Sequence, residues 1–160
     1  MDKEKNSFLD FDGVLLDSEK RIMELKSSME NISWDDFFEL IDWEKLLDES
    51  KEINDSFAIL KELQKMKKKY FILTKIHTLK EALAKVQYTR QRGVDIPIII
   101  VPPHTKKSEI YVPSNNEILV DDSIKNVDDW ENKGGYGVLF SEEFEKNEPK
   151  KVKDLTFLLK

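Results

Sequence analysis

Short, continuous apolar segments alternate along the chain with longer segments of helical periodicity. Runs of apolar residues without polar alternation, which indicate strands buried on both faces, occupy positions 7–9, 70–73, 95–101, 117–120 and 136–140. Between them, apolar residues recur three and four positions apart, which predicts helices within 17–52 and near 57–66, 78–92 and 124–133. The pattern at 152–159 fits either element. Strands separated by helices predict an α/β fold with a mostly parallel sheet flanked by helices.

The segment 17–52 follows the first strand and predicts an insertion. Its apolar spacing indicates two helices joined near 31–33, with Ser33 placed to cap the second by accepting a hydrogen bond from a first-turn amide. We therefore expect a core domain made of residues 1–16 and 53–160 and a small helical insertion of residues 17–52.

Composition narrows the classes of function. A chain of 160 residues and 18.8 kDa can form one core with a modest insertion. It contains no cysteine, which excludes disulfides, thiolate metal sites and a cysteine nucleophile, and which fits a reducing compartment. The net charge of −6 disfavours nucleic acid and anionic membranes as partners, and no stretch approaches the apolar length of a membrane span. We expect a cytoplasmic protein with a small-molecule substrate.

Polar residues follow four of the predicted strands. Parallel strands open their C-terminal ends onto one edge of the sheet, where ligands bind, and that edge would collect Asp10, Asp12, Thr74, Lys106, Lys107, Asp121 and Asp122. Carboxylates gathered beside lysine repel one another unless a cation lies among them. Hard oxygen ligands favour Mg²⁺, which also accepts a phosphate oxygen. The sequence therefore predicts a combined magnesium and phosphate site.

Four motifs along the chain resemble those of the haloacid dehalogenase superfamily of phosphohydrolases. In order they are Asp-Phe-Asp-Gly-Val at 10–14, Phe-Ile-Leu-Thr at 71–74, a lysine within 106–111, and Ile-Leu-Val-Asp-Asp at 118–122. Their order matches the superfamily, and the resemblance covers most of the chain. It implies a Rossmann-like fold in which the segment 17–52 is a small helical cap over the active site.

The resemblance also implies roles for the carboxylates. Asp10 would attack phosphorus and form an aspartyl-phosphate, while Asp12 would donate a proton to the leaving alcohol and later activate the hydrolytic water. Mg²⁺ would be held by Asp10, by the backbone carbonyl of Asp12, and by Asp122 with Asp121 assisting. Two carboxylates spaced two residues apart can both reach one phosphoryl group.

The remaining site residues are implied in the same way. Gly13 would let the loop fold around the phosphoryl group, Thr74 would hydrogen-bond a phosphoryl oxygen, and a lysine would place a positive charge beside it. Lys107 is preferred, because Lys-Ser-Glu-Ile-Tyr at 107–111 resembles the frequent Lys-Pro-Asp-Ile-Tyr of the superfamily. Serine replaces proline there, and Lys106 stays an alternative.

Features of the insertion and of the fourth motif bear on the substrate. The segment 17–52 holds twelve acidic and five basic residues, a poor lid for a long polyanion, so small phosphate esters are expected. The Asp-Asp, Asn, Trp and Gly-Gly pattern at 121–135 resembles 5′-nucleotidases of the deoxyribonucleotidase type, which favours nucleoside monophosphates. Two alternatives stay open: a catalytically silent phosphate-binding or regulatory module, and a phosphatase of nucleic-acid 3′ ends. His77 and His104 are interpreted as solvated loop residues.

Overall fold

The chain folds around one parallel β-sheet. The computed structural model describes residues 5–114 and 116–160, so residues 1–4 of the predicted core domain lie outside it. Its strands are β1 (Ser7–Leu9), β2 (Tyr70–Lys75), β3 (Ile98–Val101), β4 (Ile118–Asp121), β5 (Tyr136–Phe140) and β6 (Lys151–Val152). Within these ranges they form a single sheet of order β3-β2-β1-β4-β5-β6 with parallel pairing throughout. The predicted α/β architecture is confirmed.

Helices connect the strands and flank the sheet. They are α1 (Ser18–Ser28), α2 (Trp34–Leu40), α3 (Trp43–Glu49), α4 (Ser56–Leu63), α5 (Leu79–Gln91), α6 (Lys107–Ile110) and α7 (Ile124–Asn132). A 3₁₀ helix (Thr156–Leu159) follows β6, so the ambiguous segment 152–159 begins at the end of a strand and ends in a helical turn. Among the described residues, no helix has the length and apolarity that a membrane crossing needs.

The central strand shows why its sequence is apolar without alternation. Neighbouring residues of a strand point to opposite faces of the sheet. Phe8 packs on one face against the rings of Phe71, Tyr111 and Trp130, with centroids 5.1, 4.4 and 5.2 Å away. Leu9 belongs to the larger apolar cluster on the other face. Both faces are therefore covered, as a continuous apolar strand predicts.

The insertion contains three helices, so the prediction of two was wrong. The chain turns to extended backbone at Ile41, and Asp42 then caps a new helix by accepting a hydrogen bond from the N–H of Lys45 at 3.1 Å. The helical spacing of apolar residues continues across positions 41–42, so the sequence pattern does not reveal that one helix ends and another begins there. The cap at Ser33 is confirmed, because its hydroxyl accepts from the N–H of Asp36 at 3.1 Å.

The helices of the insertion share the interior of the core. Phe37, Trp43, Leu46 and Leu47 are buried in the same apolar cluster as Leu9 of the central strand. Helix α3 packs against α5, which follows β2. Burial of these large side chains fixes α2 and α3 against the core, because each contributes about 1.5–3 kcal/mol of transfer free energy.

Two positions of the nucleotidase-like pattern have a packing role. The indole of Trp130 is fully buried and donates a hydrogen bond to the carbonyl oxygen of Glu117 at 2.8 Å. A Cβ at Gly135 would overlap with the Trp130 ring, so the glycine allows the turn before β5 to close over the indole. The aromatic residue and the glycine are therefore explained by the core alone.

The strand register brings the predicted site residues to one edge. Leu9 pairs with Ile72 of β2 on one side and with Val120 of β4 on the other. Asp10 therefore lies level with Asp121, and its N–H donates to the carbonyl of Val120 at 2.9 Å. Thr74 lies two residues beyond Ile72, at the same C-terminal edge.

Candidate active site

Three carboxylates lie together at the C-terminal edge of the sheet. Asp10, Asp121 and Asp122 each offer an oxygen, and these oxygens lie within 4.8 Å of one another. Asp10 and Asp121 are buried, and Asp122 is partly exposed beside them. Such a group needs compensating positive charge, because buried like charges destabilise a fold.

Lys107 supplies part of that charge. Its ammonium group donates to Oδ1 of Asp10 at 2.7 Å and to Oδ2 of Asp121 at 2.6 Å, and its side chain is 3% exposed. Burial lowers the pKa of Lys107, but the two carboxylates outweigh burial and hold the pKa above its ordinary value. These bonds use two of three ammonium donors, which leaves one for a bound ligand.

One lysine does not balance three acids. Burial and the charges of Asp121, Asp122 and Asp12 raise the pKa of Asp10 well above its ordinary value, against the attraction of Lys107. Burial and Asp121 raise the pKa of Asp122 to about 6. Beyond the effect of burial, neighbouring carboxylates contribute to both raised pKa values, and a bound cation would relieve that excess of negative charge.

Gly13 holds the loop after β1 close to this cluster. Its φ of +80° lies in the left-handed region, and its N–H donates to the carbonyl of Leu16 at 2.8 Å. A Cβ at this position would overlap with the carboxyl group of Asp122. Glycine is thus required for both reasons, the conformation and the close approach.

The side chain of Asp12 lies apart from the three clustered carboxylates. Its Oδ1 accepts from the hydroxyl of Ser18 at 2.5 Å, and its Oδ2 accepts from the ammonium of Lys85 at 2.6 Å. Burial raises the pKa of Asp12, but the charge and hydrogen bond of Lys85 outweigh burial, with help from Ser18, and the pKa is lowered. Asp12 is therefore ionised at neutral pH.

The structure also shows where Thr74 and the two candidate lysines lie relative to the carboxylates. The Thr74 hydroxyl is buried and accepts a hydrogen bond from Lys85 at 2.9 Å. Lys106 points away from the cluster: its side chain is 51% exposed and its ammonium lies 3.4 Å from Asp129. The structure thus places Lys107 at the carboxylates and Lys106 on the surface.

Three solved structures resemble this one over almost their whole length. A haloacid dehalogenase-like hydrolase from Streptococcus pneumoniae superposes with a TM-score of 0.58 at 15% identity, over 99% of this chain and 91% of its own. A D,D-heptose 1,7-bisphosphate phosphatase from Burkholderia thailandensis gives 0.57 at 15% identity, over 97% and 96%. A superfamily hydrolase from Ehrlichia chaffeensis gives 0.59 at 11% identity, over 99% and 98%. The chain has the haloacid dehalogenase fold.

Sequence comparison adds nothing to this assignment. No family model matches the chain. No curated protein matches it at a significant level. At identities of 11–16% the structural likeness establishes the haloacid dehalogenase fold alone, and the chemistry has to be argued from the side chains.

Two cavities adjoin the C-terminal edge of the sheet in this haloacid dehalogenase fold. One, of about 470 Å³, lies between α2 and the loops after β2 and β3, and its lining includes Phe38, Lys75, His77 and His104. The other, of about 450 Å³, is lined in part by Gly13, Asp17 and Asp122. His77 is not simply solvated, because its ring stacks on Phe38 at 3.7 Å and its Nδ1 lies 3.1 Å from Glu81.

Sequence reasoning missed Lys85 and Ser18, the two described residues whose side chains hydrogen-bond the Asp12 carboxylate. Lys85 contacts Asp12 and Thr74, although it lies 11 positions beyond the second motif in a helix that looks solvated. Its spacing offered a signal, because Ala84, Lys85 and Tyr88 share the buried face of α5. Ser18, the first residue of α1, is the other, and nothing in its local pattern distinguishes it.

Proposed function

We propose that the chain is a Mg²⁺-dependent phosphomonoesterase that hydrolyses a small phosphate ester through an aspartyl-phosphate on Asp10. The observation that carries this proposal is the buried ammonium of Lys107 between Asp10 and Asp121, with Asp122 completing a three-carboxylate group. The arrangement joins a nucleophile, a positive charge for the phosphoryl group and a set of hard oxygen ligands.

The donor set fits Mg²⁺. Carboxylate oxygens of Asp10, Asp121 and Asp122 gather within 4.8 Å, and Mg²⁺ prefers such ligands while keeping sites for water and phosphate. When bound, the cation would neutralise charge on the transferring group and relieve the repulsion that, together with burial, raises the pKa of Asp10. The side chain of Asp12, held by Ser18 and Lys85, lies outside this donor set.

In the first step a carboxylate oxygen of Asp10 attacks phosphorus. The bond from phosphorus to the ester oxygen breaks, and Asp12 gives a proton to the departing alkoxide. Oδ1 of Asp10 accepts hydrogen bonds from Lys107 and from the N–H of Phe11 at 2.8 Å, which orients the carboxylate. Lys107 and Thr74 offer donors to the phosphoryl oxygens, whose charge they stabilise.

In the second step the ionised Asp12 takes a proton from water. The water oxygen attacks phosphorus, the aspartyl-phosphate bond breaks, and inorganic phosphate leaves with Asp10 restored. The lowered pKa keeps Asp12 ionised, which is the form that accepts a proton from water. Asp12 takes up the proton that it donates in the first step from solvent when substrate binds, because the nearby phosphate dianion raises the pKa of the carboxyl group.

The surroundings of the site favour a small substrate. The insertion that packs beside the edge is strongly acidic, which opposes a polyanion such as nucleic acid. The 470 Å³ cavity presents the Phe38 ring beside Lys75 and His104, a lining suited to a polar leaving group with one flat face. Nucleoside monophosphates satisfy that description, and we propose them as the first substrates to test, with the segment 17–52 acting as a cap.

A panel of phosphate esters tests the proposal. The full chain would be assayed for inorganic phosphate released from nucleoside monophosphates, sugar phosphates, p-nitrophenyl phosphate and a 3′-phosphorylated oligonucleotide, with Mg²⁺ and with EDTA. We expect Mg²⁺-dependent turnover of small esters and little of the oligonucleotide. Including a 2-haloacid tests hydrolytic dehalogenation, the activity named for another structure of similar fold. Tight phosphate binding without any turnover would overturn the proposal in favour of a silent binding module.

The raised carboxyl pKa values predict that Mg²⁺ stabilises the fold mainly above pH 6. Folding raises the pKa of Asp10 and brings that of Asp122 to about 6, so without metal their stabilising contribution is complete below about pH 4. The contribution of Asp122 is lost as the pH rises through about 6, and that of Asp10 as the pH rises through its own raised pKa. Mg²⁺ needs the ionised carboxylates and restores stability there. At about 100 times its dissociation constant it should raise the melting temperature by roughly 5–10 °C at pH 8.

Thermal melts with Mg²⁺ and with EDTA, at pH 5 and pH 8, check this expectation. At pH 5 protons compete for the same oxygens, so the gain should be much smaller. Asp122→Asn should lose most of the gain at pH 8, whereas Asp129→Asn, outside the carboxylate cluster, should keep it. An equal gain at both pH values would contradict the assignment of the cation to these carboxylates.

A further inference from the structure

A second buried lysine lies at the catalytic edge, on the helix that follows β2. The side chain of Lys85 is 0% exposed, which is costly for an ammonium group unless hydrogen bonds and opposite charges replace water. It belongs to a row of buried polar residues on α5, one turn apart, formed with Glu81 and Thr89. The row lies on the inner face of the helix and reaches the site through Lys85.

Every donor of this ammonium group has an acceptor. Lys85 donates to Oδ2 of Asp12 at 2.6 Å, to the Thr74 hydroxyl at 2.9 Å and to the carbonyl of Lys75 at 3.2 Å. An ammonium group has three donors, so none is left for a phosphoryl oxygen. Lys107 differs, because its two bonds leave a donor free. The two lysines therefore have different tasks.

The contacts of Lys85 set the geometry of two side chains that the proposed reaction uses. Both carboxylate oxygens of Asp12 accept hydrogen bonds, one from Ser18 of the insertion and one from Lys85 of the core. These two bonds restrict the rotation of the carboxylate. Thr74 accepts from Lys85, so its own hydroxyl hydrogen must point elsewhere. It is directed to the carbonyl of Lys75 at a long 3.4 Å, a weak bond that a phosphoryl oxygen can replace.

Glu81 completes the arrangement. It is fully buried and its Oε1 lies 3.7 Å from the ammonium of Lys85, while its other oxygen accepts from the N–H of His77 at 2.7 Å. His77 stacks on Phe38 of the insertion. The chain of contacts thus connects Asp12 to the wall of the 470 Å³ cavity.

We propose that Lys85 is a positioning residue, which orients Asp12 to transfer its proton to the leaving group and turns the Thr74 hydroxyl toward the phosphoryl group. This inference rests on the proposed phosphatase reaction and assigns to it a residue outside the four motifs. A buried lysine could instead serve the fold alone, and the two roles differ in how activity depends on the leaving group.

The dependence of activity on the leaving group of the ester distinguishes a positioning role of Lys85 from a purely structural one. p-Nitrophenolate departs without a proton, whereas an alkoxide needs one, so misplacing Asp12 slows phosphoryl transfer from an alkyl phosphate far more. The parameter to compare is kcat/KM, because it reports on steps up to the first irreversible one and is insensitive to later hydrolysis of the aspartyl-phosphate. Misplacing Thr74 would lower kcat/KM for both esters alike.

The experiment measures kcat/KM with saturating Mg²⁺ for p-nitrophenyl phosphate and for n-propyl phosphate. In Lys85→Met we expect a loss of about 100-fold or more on the alkyl ester and of less than about 10-fold on the aryl ester. Lys85→Arg, which keeps the charge and several donors, should recover part of the alkyl activity. Thr89→Val, which removes a buried hydroxyl one turn along α5, should leave the ratio of the two esters unchanged.

Each outcome decides between the roles. Equal losses on both esters, or no loss, would overturn the positioning of Asp12, and a changed ratio in Thr89→Val would show that any buried defect in α5 suffices. If Lys85→Met does not fold by circular dichroism, Lys85→Gln carries the same expectation. Turnover of p-nitrophenyl phosphate by the wild type shows that the proposed function stands whichever way the ratio falls. Its absence, together with inactivity on the whole ester panel, would overturn both.

Discussion

Replacing Asp10 by asparagine should lower Mg²⁺-dependent phosphate release by at least about 1,000-fold, because an amide cannot form the covalent intermediate that divides the displacement into two steps. Asparagine keeps the shape of the side chain, and its carbonyl oxygen can still accept from Lys107 and from the N–H of Phe11. The measurement is steady-state release of inorganic phosphate from the best ester of the panel.

The fold of this variant should survive. Burial and the neighbouring carboxylates both disfavour a negative charge on Asp10, as its raised pKa indicates. Asparagine carries no charge, so the melting temperature without Mg²⁺ should not fall at pH 8. Asp129→Asn is the matched control, because it makes the same chemical change at a partly exposed carboxylate that pairs with Lys106. Its activity should stay within about two-fold of that of the wild type. Activity of Asp10→Asn within about 10-fold of wild type would rule out Asp10 as the nucleophile.

The central strands of the sheet were predictable from sequence because they are buried on both faces. A strand such as 7–9 can lack polar alternation only if both faces of the sheet are covered. Phe8 and Leu9 accordingly pack into different apolar clusters, one on each face. Helix breaks were harder to predict. The turn at Ile41 depends on one side-chain cap at Asp42, and a single hydrogen bond leaves no trace in the apolar spacing.

The gathering of Asp10 and Asp121 was predictable for a related reason. Each directly follows or ends a central parallel strand, and the two strands are neighbours in register. The sequence could not distinguish Lys106 from Lys107, because the two are adjacent at the start of α6. Successive residues of a helix point in different directions, so one of the two side chains can face the cluster while the other faces solvent. Burial in the folded chain distinguishes them.

Lys85 could not be derived from the motifs because its contacts are tertiary. It lies 73 positions from Asp12, and the two meet only when α5 packs on the sheet beside the loop after β1. The same holds for Ser18, which brings the insertion to the catalytic edge. Residues that orient a catalytic group come from whichever element packs behind it, so they carry no fixed spacing in the sequence.

Lys107 and Lys106 provide a pair of adjacent substitutions with opposite expectations. Lys107→Met removes a buried ammonium from between Asp10 and Asp121, leaving two buried carboxylates without their partner. Breaking a buried ion pair costs about 3–5 kcal/mol, to be measured as the free energy of unfolding in EDTA. Loss of a charge that faces the phosphoryl group should also lower kcat/KM by at least about 100-fold in the presence of Mg²⁺.

Lys106→Met is the control for the same chemical change one residue away. Its side chain is half exposed, and its ammonium pairs, among the described residues, only with the partly exposed carboxylate of Asp129. Stability should therefore change by less than about 0.5 kcal/mol and activity by less than about two-fold. A larger loss in Lys106→Met than in Lys107→Met would reverse the assignment. Similar small losses in both, of stability in EDTA and of activity in Mg²⁺, would mean that the carboxylate cluster tolerates its charge without lysine and that Lys107 does not serve the phosphoryl group.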